Sequence, residues 1–220
     1  VASESTNVDV GGHTLRYLSQ GQGCPGIVLD AGLGDSGIQS WSGIAASMAQ
    51  IGRILLYDRA GYGSSQLGPE PRTPQQLVTE LHTLLEKVHF EPPYVLVGHS
   101  MSGYNQRVFA NMYPDEVAGM VFVDATHEYF WNKWAELYPA EWEKGNQILE
   151  NHYVSQPPGI HAEWKSFKTS RLDAPGPIPD VPIVVLTSLK VYDDFAPEVE
   201  QALTQIWDEA CKYLAIACIN

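Results

Sequence analysis

The chain has 220 residues and a formal net charge of −13 at pH 7, with 44% hydrophobic and 18% charged residues. That balance is ordinary for a folded domain, argues against extended disorder, and leaves no Lys/Arg-rich run to bind phosphate backbones, so nucleic acid is not an expected partner. A domain of this length buries roughly 70% of its unfolded surface, and no apolar stretch approaches the roughly 18 to 20 residues of a membrane span.

No charged-then-apolar export signal is present, although the first residue is Val1 rather than Met. The three cysteines, Cys24, Cys211 and Cys218, have neither metal-ligand nor redox-motif spacing and read as free thiols. The compartment stays open, with the cytoplasm favoured, and no metal or cofactor is expected.

In chain order, NVDV and TLRYLS flank Gly11-Gly12 and predict a hairpin. GIVLD (26–30) reads as a short buried strand, followed by the loop AGLGDSG and an amphipathic stretch from about Trp41 to Ile51. RILLYD (53–58) is the next strand, closed by the turn-rich AGYGSS. Over residues 73–89, Thr73 serves as N-cap, Pro74 takes the first helical position, and Gln76 completes a capping-box signature. Leu77, Leu81, Leu84, Leu85 and Val88 then recur at helical spacing. YVLVG (94–98), MVFVD (120–124) and PIVVLT (182–187) are further buried strands, with a helical run from Met101 to Tyr113.

Continuous apolar strands separated by helices describe a parallel sheet covered on both faces, so the fold class is doubly wound α/β in a single domain, 1–220. Between about 127 and 180 the pattern lapses into an insertion rich in aromatics, among them Tyr129, Phe130, Trp131, Trp134, Trp142 and Trp164. It reads as a cap, whose rings either line an apolar pocket or pack the cap onto the sheet.

The strongest local signal is Gly98-His99-Ser100-Met101-Ser102-Gly103, set between the YVLVG strand and a helix. A nucleophile elbow needs a sharp strand-to-helix turn with small residues around a serine. Together with DRAGYGSS after RILLYD and with VFVDATH, this stretch resembles the α/β-hydrolase superfamily, closest to its serine esterase-like branch, over most of the chain. One departure is Ser102, where that family usually has glycine, and a slight shift of the following helix is expected. The resemblance makes Ser100 the nucleophile and places the oxyanion-hole donors at the backbone N–H groups of Met101 and Leu33. It implies hydrolysis of a carboxylic ester, for which the aromatic insertion favours an apolar small-molecule substrate, and disfavours dehalogenase or epoxide hydrolase chemistry, whose relatives carry aspartate where this chain has Ser100.

A serine nucleophile also needs a histidine base and a carboxylate to orient it. Asp124, at a strand end, is the favoured acid, with Asp193 or Asp194 after PIVVLT as the alternative. The base is the gap. The resemblance puts it on a loop after the last strand, whereas every histidine here lies at or before His161, and the final YLAIACIN reads as the end of a helix ahead of that strand. His99 is expected in the core; His127, at the mouth of the insertion, is an alternative base, though one loop would then supply both acid and base; and His13, His82, His89, His152 and His161 are expected on the surface or in packing. Asp58 and Arg59 read as residues that fix loop geometry. Two functions follow: an esterase whose histidine lies beyond residue 220, or a hydrolase-like protein that binds a ligand without turnover. A sheet lacking its last strand also exposes an edge through which a homodimer is expected to form.

Overall fold

The computed structural model describes residues 5–188 and 195–216. The hairpin forms as expected, with β1 (Thr6–Asp9) antiparallel to β2 (Thr14–Gln20) and Asp9 opposite Thr14. At the turn the Asp9 carboxylate accepts the N–H groups of Gly11 and Gly12, which stand at φ 118° and 102°. Only glycine holds such angles without strain.

The continuous apolar runs become β3 (Gly26–Asp30), β4 (Ile54–Asp58), β5 (Tyr94–His99), β6 (Val117–Val123) and β7 (Ile183–Leu186). With the hairpin they make one sheet in the order β1-β2-β4-β3-β5-β6-β7, parallel from β4 to β7. Side chains alternate across it. Val28, Leu55 and Leu96 join one buried cluster, while Leu29, Leu56 and Val97 join another. Apolar surface on both faces requires helices on both. α1 (Gly37–Ile51) covers the second cluster through Ala45, and α2 (Pro74–Lys87) and α3 (Ser102–Met112) cover the first through Leu81, Leu84, Val108 and Phe109.

Two helix starts differ from expectation. α1 begins at Gly37 rather than near Trp41, because Ser36 caps it, accepting from Gln39 N–H at 3.3 Å while donating to Asp58 Oδ1 at 2.7 Å. At Gly37 the backbone packs so closely on the Tyr57 carbonyl that a Cβ would collide with it. For α2, Thr73 Oγ1 accepts from Gln76 N–H at 3.2 Å as expected, but the Gln76 amide donates to Glu80 Oε1 at 3.0 Å instead of reaching back. Half the capping box forms, since Glu80 is buried in a two-pronged pair with Arg72.

The insertion folds as α4 (Glu128–Leu137), α5 (Pro139–Val154) and α6 (Pro158–Ser170), and the chain returns through β7 to α7 (Pro197–Ile216). Phe130 and Trp134 of α4 pack with Leu203, Ile206 and Trp207 of α7 as a separate apolar cluster. The start of α6 rests on the turn after β4, backbone to backbone: a Cβ on Gly61 or Gly159 would fall 2.7 Å from the other's Cα. Among the described residues no helix is long and apolar enough to cross a membrane. Cys24 is exposed, Cys211 is buried, and neither is in a disulfide; Cys218 lies outside the described residues.

Candidate active site

Parallel strands bring their carboxyl ends to one edge, where open α/β sheets place their ligands. Asp30 of β3 pairs with Gly98 of β5, and His99 and Val123 stand opposite each other at the ends of β5 and β6. Ser100 follows β5 directly and has φ 54°. A non-glycine residue in this left-handed region carries strain of about 1 to 2 kcal/mol. Three backbone hydrogen bonds hold it there: Ser100 N–H donates to Val123 O at 3.1 Å, and Ser100 O accepts from Gly103 N–H at 3.1 Å and Thr126 N–H at 3.0 Å. At Gly98 a Cβ would come within 2.8 Å of Gly103 N, so the turn needs glycine there.

Ser102 does more than occupy a glycine position. Its hydroxyl is fully buried and is placed to donate to Asp30 O at 2.8 Å and His99 O at 2.9 Å, linking the ends of β3 and β5. The expectation of a slightly shifted helix missed this linking role, which depends on a carbonyl 72 residues away.

The loop after β3 faces Ser100. A Cβ on Gly32 would lie 3.4 Å from Ser100 Cβ and 3.2 Å from His99 Nδ1. Arg59 fixes this loop from beneath, donating to Ala31 O and Gly32 O at 2.7 Å each and pairing with Asp30 at 2.6 Å and Glu163 of α6 at 2.9 Å. Burial opposes the Arg59 charge, but the Glu163 and Asp30 carboxylates outweigh it and hold the guanidinium protonated. Burial in turn pushes the Asp30 and Glu163 carboxyls upward, against the pull of Arg59. Gly34 N–H donates to Tyr62 OH at 3.3 Å, a second tie. The loop-fixing role expected of Arg59 is thus present, and Glu163 extends it to the cap. Asp58 meanwhile accepts from Ser36 Oγ and Ile38 N–H at the start of α1.

Ser100, Met101 and Leu33 form one side of a cavity of about 270 Å³, roofed by cap residues that include Trp131, Trp164 and Arg171. The rings therefore both pack the cap and line the cavity. Among the described residues, neither Leu33 N–H nor Met101 N–H donates to a protein acceptor.

Asp124 also has a positive φ, 44°, and its N–H donates to Leu186 O at 2.8 Å. Its carboxylate accepts from Ser188 N–H at 2.6 Å and Ser188 Oγ at 2.8 Å, so it anchors the chain leaving β7. Asp193 and Asp194 lie outside the described residues.

None of the seven histidines lines this cavity. His127 is buried beside a different cavity with Arg107 and Tyr213. Its Nδ1 accepts from Tyr129 N–H at 3.0 Å, capping α4, and burial, with Arg107 nearby, pulls it down to about 4. His99 is half-buried against Gly32 rather than in the core, a correction that follows from the left-handed turn at Ser100 beginning one residue later. His13 is buried 3.2 Å from Glu80, and His82 stacks on Tyr113 with ring centres 3.8 Å apart.

A parallel sheet of this order, with a strained serine between β5 and α3 and a helical cap above it, defines an α/β-hydrolase scaffold. Residues 25–148 match the family described as alpha/beta hydrolase fold, and the chain belongs to that family. YqjL of Bacillus subtilis (strain 168), itself uncharacterised, is 29% identical over 183 residues, 79% of this chain and 66% of that protein. The chain spans 22% and 38% of the lengths of two other curated relatives it matches. Among solved structures, an enol-lactonase from Burkholderia xenovorans LB400 superposes with a TM-score of 0.66 at 19% identity, covering 91% of this chain and 87% of that one. A thermophilic esterase from Thermogutta terrifontis gives 0.62 at 19% identity, covering 93% and 86%. At this identity the structures establish the fold, which epoxide hydrolases share.

Proposed function

We propose that the protein is a carboxylic-ester hydrolase acting through Ser100 and an acyl-enzyme intermediate. The observation that supports this most is Ser100 itself, held at φ 54° on the strand-helix turn and opening onto an apolar cavity. Backbone strain of this kind persists where surrounding structure enforces it, and it clusters at functional sites. An aspartate in the same position would support the chemistry of the epoxide hydrolases that share the fold; serine supports acyl transfer.

In this reading Ser100 Oγ attacks the ester carbonyl carbon, the alcohol leaves with a proton, and water then releases the acid. The N–H groups of Leu33 and Met101 receive the developing oxyanion, with the N-terminal end of α3 adding its dipole. Asp124 orients the histidine base. That histidine is not among the described residues lining the cavity, and the reading requires one.

The test is turnover of a short-chain aryl ester by the full-length protein, together with labelling by a fluorophosphonate. Ser100→Ala should lower kcat by at least ~10³-fold and abolish labelling. Full activity in Ser100→Ala, or no turnover by the wild type, would overturn the reading. The second reading, a binding protein without turnover, is favoured by the absence of a histidine among the described residues lining the cavity; there, ligand binds but no acyl intermediate accumulates.

A further inference from the structure

The roof of the Ser100 cavity contains an unusual cation. Arg171 follows α6, and its backbone N–H donates to Phe167 O at 2.9 Å. The residue is 1% exposed, and its guanidinium lies over the rings of Trp131, Trp142 and Trp164 at 4.4, 4.8 and 5.1 Å from their centres. Nη2 donates to the side-chain oxygen of Asn146 on α5. Nε and Nη1 are buried and meet no acceptor, and among the described residues no carboxylate pairs with the group.

Burial pulls Arg171 down to about 10, which leaves it charged at neutral pH. Ring faces attract a cation, but they do not receive N–H hydrogen bonds as oxygen does, so the buried donors stay unsatisfied. Among the described residues lining the cavity, Arg171 is the only charged one. A carboxylate matches what is missing, supplying negative charge and strong acceptors to a planar set of N–H donors.

We propose that Arg171 is a carboxylate-binding residue of this cavity, so that the preferred substrates are esters bearing an anionic carboxylate on the portion lying under the cap. The ester part of this statement rests on the Ser100 reading; the binding part does not.

Binding is tested by titrating the full-length protein with hexanoate and with neutral hexanamide, following tryptophan fluorescence, since three tryptophans surround the cation. Hexanoate should bind about 10- to 100-fold more tightly, as expected for hydrogen bonds to a charged group. That preference should vanish in Arg171→Met and return in part in Arg171→Lys. Equal affinity for the two ligands in the wild type, which needs no variant to fold, overturns the proposal, as does a preference that survives in Arg171→Met.

The kinetic arm compares mono-p-nitrophenyl adipate with p-nitrophenyl hexanoate. The ratio of their kcat/KM values should fall at least about tenfold in Arg171→Met; an unchanged ratio overturns the proposal. Arg171-dependent hexanoate binding without turnover of either ester would sink the Ser100 reading and keep the carboxylate site. Turnover without any anion preference would do the reverse.

Discussion

Two arginines near the candidate site, both almost fully buried, have opposite surroundings. Arg59, between the loop after β3 and α6, is 3% exposed and is met by two carboxylates and two backbone carbonyls. Arg171, in the roof, is 1% exposed and has one amide oxygen and three indole faces. The same residue type at the same depth is in one place a finished cross-link and in the other a charge with donors to spare. Burial alone does not distinguish them; the counter-charges do. The floor is built to stay fixed, and the roof is built to receive something.

The sharpest way to break this contrast is to remove each charge in turn. Arg59→Met leaves Asp30 and Glu163 buried without their cation and should cost about 3 to 5 kcal/mol in urea unfolding. Arg171→Met, which strands no carboxylate, should change stability by no more than about 1 kcal/mol. Equal losses would mean that both arginines serve the fold alone.

A third arginine extends the comparison to pH. Arg107 forms a two-pronged pair with Glu128 at 2.7 and 2.9 Å, beside the buried His127. His127 titrates at about 4 instead of the ordinary 6.5, so between those values the unfolded chain takes up a proton that the folded chain refuses. Stability is complete above pH 6.5 and falls as pH drops towards 4, by roughly 3 kcal/mol. His127→Asn keeps a capping acceptor and should flatten that part of the curve, measured as urea midpoints across the range. A smaller effect than that of His127 belongs to Ser102→Ala, which removes the hydroxyl bridge between Asp30 O and His99 O. It should cost about 1 kcal/mol, read as a shift in the unfolding midpoint, with a larger relative loss in ester turnover than in stability.

The strands and the helices α1 to α3 were legible because their signals are local, whereas α4, α5 and α6 were read only as an aromatic insertion. Val28-Leu29 and Leu96-Val97 announce buried strands by continuity, and Thr73-Pro74 announces a helix start by capping chemistry. Ser100 was legible for the same reason, since strand, turn and helix follow one another within a short stretch. The start of α1 was missed by four residues because its cap is completed by Asp58, 22 residues on. The Arg59–Glu163 link joins positions 104 apart, and no periodicity reports such a pair. Arg171 carried no signal at all. Its character comes from three tryptophans and an asparagine gathered from α4, α5 and α6, and from carboxylates that are not there among the described residues.

The close approach of Gly61 and Gly159 gives α6 a fulcrum. With no side chains between the two backbones, and with Arg59 paired to Glu163 one turn further on, the first turn of this 13-residue helix is tied to the turn after β4. Arg171 rides on the other end, about 18 Å along the rod. A tilt of about 5° at the fulcrum moves the guanidinium by about 1.5 Å, half the length of a hydrogen bond. Any change in the angle of α6 is thus magnified at its charged end and hardly felt at Gly61.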